Sequence, residues 1–299
     1  MGSRTVQAAG QFLKSRTGHT RFQAPCRDAI SPLAFDAPIF AALHAFRHLL
    51  LSADWPDIEA LDRALQPLSH AKTGTCLSLV DQARLYDGVH YEQRIAERGQ
   101  LATRHGNWHD LFNALVWKLL PETKSALNAG QVADILALGT RQRTRRQCAY
   151  TQFDEAGAVV LLRDPALLEL WDRHDWTGLF LRNAEAWQDG TIKIAVVGHA
   201  LFEHALHPSM LLVSRTLVLI DERRAGACDI DATVSAALVE ENWLTDPQQL
   251  RPLPVSGIPG WHRSRQDADF YALQPCFRPL RPGRAYPAAL RVNGRSCPG

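Results

Sequence analysis

The chain has 299 residues, 46 % of them hydrophobic, and a formal net charge of +2. A chain of this length and composition can bury a substantial core, so a disordered protein is excluded. The nearly balanced charge gives no electrostatic basis for binding nucleic acid, and we expect none as a partner. No run approaches the length of about 18 uncharged apolar residues that a membrane-spanning helix needs, so no membrane partner is expected either.

The six cysteines are scattered along the chain and form neither a Cys-x-x-Cys pair nor a zinc-type cluster. In a chain of this length, such spacing predicts reduced thiols. The N-terminal residues lack the apolar core of a signal peptide. We therefore expect a cytoplasmic protein.

Composition and periodicity predict one domain between two flexible ends. Residues 1–24 are polar, basic and aperiodic, which predicts a flexible N-terminal segment. Residues 25–280 carry periodic apolar patterns without a clean linker, which predicts a single globular domain. Residues 281–299 are expected to form a flexible C-terminal tail.

Helices dominate the first part of the predicted domain. Two are expected between residues 36 and 68, where capping residues and early prolines precede periodic apolar positions. The segment 89–95 is compatible with either a short strand or a helix. A further helix is predicted over residues 108–120, with Asn107 as N-cap and Asp110 three positions on, much like a capping box.

A helix, a basic loop and a hairpin are predicted next. Pro121 is expected to start a helix that ends at residues 128–130. The basic stretch 141–146 then forms a loop, which either holds phosphate or serves as a solvated linker. The pattern of residues 149–162 predicts a β-hairpin with residues 154–157 as its turn.

Helices and strands alternate in the remainder of the chain. The predicted elements are helices over 165–172, 176–188, 198–206 and 231–243, strands over 192–197 and 211–220, and an extended loop over 252–261. The strand over 192–197 is expected to be central because it is apolar at nearly every position. Together these elements predict an α+β protein, a single, mostly helical domain with a small β-sheet.

The helix over residues 108–120 is the first candidate for a functional segment. At about 100° per residue, His109, Asp110, Asn113 and Trp117 share an arc opposite the main apolar face. Polar groups in an apolar stretch cost stability unless they find partners or do chemistry. Two interpretations stay open: the arc faces a functional site, or its polar groups cap the helix and satisfy neighbouring backbone.

The second candidate segment is residues 198–204. His199 and Glu203 lie four residues apart on one helix face, where they can bind a divalent metal or form a general-base pair. An ion pair or cap at a strand-to-helix junction is the structural alternative. A strand over 192–197 would bring this helix to the end of the sheet, where ligand sites tend to form. We expect the side chain of His109 within about 8 Å of His199, close enough to share a metal or substrate.

Several short motifs in fixed order resemble a known family. They are Tyr91-Glu-Gln-Arg-Ile95, Thr103-Arg104, the 107–117 run, Phe153-Asp-Glu-x-Gly157, Gly198-His-Ala-Leu201 and Pro254-Val-x-Gly-Ile-Pro-Gly-Trp261. In order and spacing they resemble a bacterial domain-of-unknown-function family, number 3025, over roughly residues 35 to 280. The resemblance implies a bacterial source and one continuous domain, and it implies no activity. This chain has Gln147-Cys-Ala-Tyr-Thr151 where the family usually has Arg-Asp-Ala-Leu-Thr, so an aspartate expected there is absent.

Two functions from different classes follow from the candidate residues. The first is a metal-assisted hydrolase for a small or phosphorylated substrate, in which a divalent metal lowers the pKa of a bound water. The second is a non-catalytic ligand-binding or scaffold protein, in which the same groups form a buried hydrogen-bond network. A small anionic ligand is the expected partner. No Gly-x-Ser-x-Gly elbow, P-loop or Gly-x-Gly-x-x-Gly occurs, which argues against serine hydrolases, kinases and dinucleotide-dependent enzymes.

The hydrolase hypothesis assigns a role to each candidate residue. The expected catalytic residues are His109, Asp110, His199 and Glu203, of which His109, His199 and Glu203 are the expected metal ligands. Asp154 or Glu155 is expected as a reserve ligand or base. Arg104, Asn113, Trp117 and Trp261 are expected to bind the substrate.

Overall fold

The computed structural model describes residues 22–222, 228–240 and 242–292. About 49 % of the structure is helical and 12 % is β-strand, with two small sheets. This confirms the predicted α+β class with a mostly helical chain. Of the two ends predicted to be flexible, residues 1–21 and 293–299 lie outside the described residues.

The predicted helices are present with changes at several ends, and two α-helices that are not predicted from the sequence occur over residues 145–156 and 268–273. The α-helices are α1 (Arg47–Leu51), α2 (Ile58–Leu65), α3 (Tyr91–Arg98), α4 (Trp108–Leu119), α5 (Pro121–Leu138), α6 (Arg145–Ala156), α7 (Ala166–Asp172), α8 (Ala184–Gln188), α9 (His199–Ala205), α10 (Ile230–Val239) and α11 (Ala268–Leu273). Short 3₁₀ helices span Arg27–Ala29, Pro32–Asp36, Pro38–Phe46, Gln82–Arg84, Pro247–Gln249 and Val255–Gly257, and a π-helical turn spans Thr177–Arg182. None of the helices in the described residues has the length and apolarity that crossing a membrane requires.

The strands form a two-stranded and a five-stranded sheet. They are β1 (Ser78–Asp81), β2 (Gln100–Thr103), β3 (Gly157–Leu162), β4 (Ile192–Val196), β5 (Ser214–Ile220), β6 (Arg251–Leu253) and β7 (Leu290–Arg291). β1 and β2 pair in parallel, and the larger sheet has the order β4-β3-β5-β6 with β7 also paired to β5. β3 and β5 are parallel, whereas β4 and β6 run antiparallel to their neighbours. The short strand β7 lies inside the segment predicted as a C-terminal tail.

The prediction that the strand over 192–197 is central is wrong. Among the described residues, β4 pairs only with β3 and lies at the edge of the sheet. β3 occupies the centre with β5 because all six of its residues are buried, whereas Lys193 in β4 is exposed. Val160 and Leu162 pack into the larger core cluster and Val159 and Leu161 into a second one, so this strand is covered on both faces.

The prediction of a hairpin over residues 149–162 is also wrong. Residues Arg145–Ala156 form α6 instead, and only the second half of the segment is a strand. A capping box starts the helix: the Thr144 side chain accepts a hydrogen bond from the Gln147 backbone, and the Gln147 side chain accepts one from the Thr144 backbone. Asp154 therefore lies in the last turn of a helix, where its side chain points to neighbouring helices, and not in a surface turn.

The helix that Pro121 starts does not end at residues 128–130 but continues to Leu138. Gly130 lies in its middle because the ring of Tyr150 from α6 packs against it. A Cβ at position 130 would come within 2.3 Å of the Cε2 atom of Tyr150. This glycine therefore permits close packing between α5 and α6 and does not act as a helix terminator.

Candidate functional site

A polar cleft of about 430 Å³ opens between α3, α4, α5, α6 and α9. Side chains from each of these helices reach it, including Tyr91, Glu92, His109, Asn113, Asp154 and His199. Its size is in the range of small-molecule sites. Most of its lining groups are polar or ionisable, which is unusual for a region enclosed by helices and requires a physical explanation.

Two histidines face each other at this cleft. The Nε2 atoms of His109 and His199 are 3.0 Å apart, and the two rings meet edge to face with centroids 4.4 Å apart. Asn107 caps α4 by accepting a hydrogen bond from the Asp110 backbone, which places His109 in the first turn of that helix. The predicted proximity of the two histidines is therefore confirmed, although the two residues are 90 positions apart in the chain.

Close backbone contact positions the second histidine. The Gly198 nitrogen donates a hydrogen bond to the Gly157 carbonyl oxygen at 2.8 Å, where α6 passes into β3. A Cβ at position 198 would lie 2.5 Å from the Gly157 nitrogen, so only glycine permits this approach. As a result α9 begins directly beside the end of α6, and His199 comes next to Asp154.

Glu203 contacts His109 of α4 and not His199, which lies four residues before it on α9. Its Oε2 atom lies 3.1 Å from Nδ1 of His109, on the side of the ring away from His199. The hydrogen bond to Glu203 raises the pKa of His109, and burial opposes this shift only in part. Glu203 lines a second, wider cleft of about 910 Å³ that meets the first one at His109. The carboxylate of Glu203 thus holds Nδ1 of His109, while Nε2 of the same ring faces His199.

The histidine on α9 is buried and neutral. His199 is 5 % exposed, and burial lowers its pKa to about 3. Its Nδ1 atom lies 3.9 Å from Oδ2 of Asp154, and it has no hydrogen-bond partner among the described residues. The two imidazoles therefore lie in a row between two carboxylates, Glu203 behind His109 and Asp154 behind His199.

A buried lysine holds the second carboxylate. Lys124 is 4 % exposed, and its Nζ atom pairs with Asp154 and donates to Oδ1 of Asn113 at 2.9 Å. Burial alone would raise the pKa of Asp154, but the charge and hydrogen bond of Lys124, together with the two nearby histidines, hold that pKa below its usual value. Asn113 also donates through Nδ2 to the Tyr91 hydroxyl at 2.8 Å. Burial raises the pKa of this hydroxyl, so it stays protonated.

Asp110 is engaged by an arginine. Its carboxylate accepts two hydrogen bonds from the Arg104 guanidinium, at 2.9 and 2.7 Å, and one from the Arg104 backbone at 2.7 Å. This bidentate contact fixes the loop before α4 and leaves Arg104 half exposed at the cleft. Asp110 therefore lies near the histidine pair, but its carboxylate is used to hold Arg104 and the loop before α4.

The two tryptophans expected at the site lie elsewhere. Trp117 is buried beside Lys124, whose Nζ atom is 5.5 Å from the ring centre, and it lines a small internal cavity of about 20 Å³. Trp261 lines a separate groove of about 600 Å³ together with Ile30 and Met210. Of the expected substrate-binding residues, the structure brings only Arg104 and Asn113 to the cleft with the histidine pair.

The set of His109, His199 and Glu203 cannot surround one metal ion in this arrangement. Glu203 and His199 contact opposite nitrogens of the His109 ring, so an ion between the two Nε2 atoms would be remote from Glu203. Among the residues that the structure describes, no group of three or more His, Cys, Asp or Glu side chains could hold a metal ion. Catalytic zinc sites generally have three protein ligands, whereas only the two histidines of the predicted ligand set face a common point in this arrangement.

Two further ionisable groups are not predicted as site residues from the sequence: Glu92, which lines the cleft, and Lys124, which lines the small cavity beside it. Lys124 sits in a helix without any motif that marks it, and only the packing of α5 against α4 and α6 buries it. Glu92 belongs to the Tyr91-Glu-Gln-Arg-Ile95 motif, whose pattern is compatible with either a strand or a helix. The structure makes it the first turn of α3, and burial raises the pKa of Glu92 to about 7.

The fold and cleft define a class of protein: an α+β domain in which a carboxylate-supported histidine pair opens to a small polar cleft. A family described as a protein of unknown function (DUF3025) matches residues 77–281, and the chain belongs to this family. The matched range contains every residue of the histidine and carboxylate row. No curated protein and no solved structure matches the chain.

Proposed function

We propose that this chain is a hydrolase that activates water by general acid–base chemistry at the histidine pair and acts on a small anionic substrate. The observation that carries the proposal is the row formed by Glu203, His109, His199 and Asp154 at the cleft. Such a row costs stability, because it buries an imidazole nitrogen without a partner. Unfavourable polar arrangements of this kind concentrate at functional sites.

His109 is the proposed general base. With Nδ1 donating its proton to Glu203, the free lone pair of the imidazole is on Nε2. The same Nε2 atom is 3.0 Å from Nε2 of His199, so the two rings have to separate to admit a water molecule between them. This water gives up a proton to Nε2 of His109, and the hydroxide attacks the substrate. The carboxylate of Glu203 stabilises the imidazolium that forms, as the acid does in a carboxylate–histidine pair of a hydrolase.

His199 is the proposed proton partner of His109. Its Nε2 atom is 3.0 Å from Nε2 of the base, within hydrogen-bond reach. Because burial keeps this imidazole neutral, it accepts a hydrogen bond from protonated His109 without competing for the charge. The carboxylate of Asp154, 3.9 Å from Nδ1, makes no hydrogen bond to the ring but favours a proton on that nitrogen by its charge.

Cationic side chains at the cleft support an anionic substrate. Arg104 is half exposed and held in place by Asp110. Arg143 also lines the cleft; it is exposed and has no hydrogen-bond or ion-pair partner among the described residues. Guanidinium groups bind carboxylate and phosphate through paired hydrogen bonds, so these two positions fit a small carboxylate or phosphate ester.

The ligand geometry favours acid–base chemistry over metal assistance. Of the predicted metal ligands, only the two histidines face a common point, since Glu203 lies behind His109. Two neutral nitrogens are fewer ligands than a catalytic zinc site uses. We therefore expect hydrolysis to continue in the presence of a chelator.

The test is hydrolysis of a panel of small aryl esters and aryl phosphates in the presence of EDTA. His109→Asn should lower kcat/KM by about 10²- to 10⁴-fold, the usual contribution of a general base. His105→Asn is the matched control, because this exposed histidine lies in the loop just before the same helix and does not line the cleft. Loss of the wild-type activity in EDTA, or full activity of His109→Asn, would contradict the proposal.

A scaffold protein without catalysis is the second candidate. The complete pairing of Lys124 with Asp154 and Asn113 favours it, because a satisfied buried network is typical of a structural core. Thermal melts of Glu203→Gln and His199→Asn separate the two candidates. Near-native or higher melting temperatures are expected of a functional site, whereas a loss of several degrees in both variants would favour the scaffold.

The proposal also includes a cytoplasmic location. The cysteines in the described residues, Cys26, Cys76, Cys148, Cys228 and Cys276, are free thiols, which supports a reducing compartment.

A further inference from the structure

Glu92 is an ionisable group of the cleft that the proposed hydrolysis does not yet use. It lies in the first turn of α3, and its side chain lines both the cleft and the small internal cavity beside it. The histidine pair reaches the same cleft from α4 and α9. The proposed base and this carboxyl group therefore line the same cleft.

Asn128 of α5 fixes the position of the carboxyl group. Its Nδ2 atom donates to Oε2 of Glu92 at 2.6 Å and to the Glu92 backbone oxygen at 3.0 Å. The Oδ1 atom of Asn128 is in turn 3.2 Å from Nε2 of the buried His70, which holds the amide in this orientation. The other carboxyl oxygen, Oε1, makes no hydrogen bond within the described residues. One oxygen is thus anchored, and the other is free to meet a ligand.

The surroundings of Glu92 favour its protonated form up to about pH 7. Burial raises its pKa to about 7, and the carboxylate of Asp154 on α6 adds to this shift. The hydrogen bond from Asn128 and the more distant charges of Lys124 and Arg143 oppose it without overcoming it. No cation forms a salt bridge with Glu92 among the described residues. Asp154, which is paired with Lys124, has its pKa shifted in the opposite direction.

In hydrolases, two carboxyl groups of one cleft whose pKa values are shifted in opposite directions can take different roles. The group with the raised pKa acts as the acid, and the other stays ionised. We propose that Glu92 is the general acid of the cleft, which protonates the leaving group of the substrate. This inference rests on the proposed function, because it supplies the second proton transfer of the same hydrolysis.

The proton balance of the proposed step closes without a further reactant. Water gives one proton to His109 and forms a bond to the carbonyl carbon or phosphorus of the ester. The bond to the leaving oxygen breaks, and that oxygen takes the proton of Glu92. The Glu92 carboxylate then regains a proton from solvent, while the imidazolium of His109 loses one.

The experiment compares Glu92→Gln with wild type on 4-nitrophenyl phosphate and phenyl phosphate, together with the corresponding acetates. Phenolate is a poorer leaving group than 4-nitrophenolate and depends more strongly on a proton donor. We expect Glu92→Gln to lose about 100-fold or more in kcat on the phenyl ester and less than about 10-fold on the nitrophenyl ester. Glu97→Gln, at an exposed position of the same helix, is the control and should match wild type on both.

A second readout does not depend on turnover. The infrared spectrum of the wild-type protein at pH 6 should contain a protonated-carboxyl band that disappears in Glu92→Gln and remains in Glu97→Gln. Equal losses on both esters, or the absence of this band, would overturn the inference. If His109→Asn abolishes hydrolysis of both esters while Glu92→Gln leaves both unchanged, the proposed function stands and the role of Glu92 fails. If His109→Asn retains full activity, the proposed function fails first.

Discussion

Replacing Lys124 by methionine should destabilise the protein through the charge that is left behind. Lys124 is 4 % exposed and holds Asp154, whose side chain is 26 % exposed. Methionine fills a similar volume but leaves the aspartate without its cation. Removing one partner of a buried ion pair costs about 3–5 kcal/mol, and the partial exposure of Asp154 favours the lower end, about 3 kcal/mol.

The loss of stability in Lys124→Met should be smaller at low pH than at neutral pH. Because Lys124 keeps the pKa of Asp154 below 3.8, the ion pair stabilises the native state above that pH. This contribution is lost as the pH falls through the lowered pKa, where the wild-type carboxylate takes up a proton. The difference between wild type and Lys124→Met should therefore be largest near pH 7 and shrink below about pH 4.

Urea unfolding at pH 7 and pH 3.5 measures both effects. Lys193→Met, at an exposed position of β4, is the matched control and should change the free energy of unfolding by less than about 0.5 kcal/mol. The double variant Lys124→Met/Asp154→Asn should recover most of the loss, because no buried charge remains unpaired. A loss below about 1 kcal/mol at pH 7, or an equal loss at both pH values, would refute this reasoning.

Three further predictions test other parts of the structure. Between pH 4.5 and pH 8, Glu92→Gln should gain about 3 kcal/mol of stability relative to wild type in urea unfolding. Folding raises the pKa of Glu92 from 4.5 to about 7, so between these values the unfolded wild-type chain has released a proton that the native state still binds. A pH-independent difference would contradict this. An NMR titration should give His109 a pKa above 6.5 in wild type and below 6.5 in Glu203→Gln, because burial remains when the carboxylate is removed; an unchanged value would contradict the contact. Gly130→Ala should lower stability by about 1–3 kcal/mol in thermal melts, because its methyl group would overlap the Tyr150 ring; native-like melting would show that the helices can separate there.

The helices of this protein could be located from the sequence because their ends carry local chemical signals. Asn107 caps its helix with a side-chain hydrogen bond, and this end is predicted from residue type and spacing. Pro121 starts α5 as expected for a proline in the first turn. Signals of this kind act within a few residues, so tertiary packing does not override them.

The errors arose where distant packing decided the structure. Residues 149–153 have a composition typical of a strand, but the capping box at Thr144 and the contact of Tyr150 with Gly130 make them part of α6. The helix end predicted at residues 128–130 is wrong for a related reason, because Gly130 packs against the Tyr150 ring of α6 and does not end its own helix. The contact between Tyr150 and Gly130 joins two helices and is not local in the sequence, whereas the Thr144–Gln147 capping box is a local signal that the strand-like composition of residues 149–153 outweighed in the prediction.

The candidate site was found in part for similar reasons. His109 and His199 could be predicted because a polar side chain in an apolar segment is costly unless it has a partner or a function. The strand-to-helix junction before His199 indicated that the two would meet. The helical spacing suggested that Glu203 pairs with His199, whereas the packing of α9 on α4 turns it to His109. Lys124 and Glu92 were missed because a single charged residue in a helix carries no sign of its burial.

The most direct test of the central claim is chemical rescue of His109→Ala by free imidazole, measured as the initial rate of aryl ester hydrolysis in EDTA. We predict that the variant loses about 10²-fold or more in kcat/KM and that added imidazole restores part of the rate in a saturable manner, because the base enters the space that the side chain leaves beside Glu203 and His199. His105→Ala should keep the wild-type rate with or without imidazole. Full activity of His109→Ala, or a rate that imidazole raises equally in both variants, would contradict the assignment of His109 as the base.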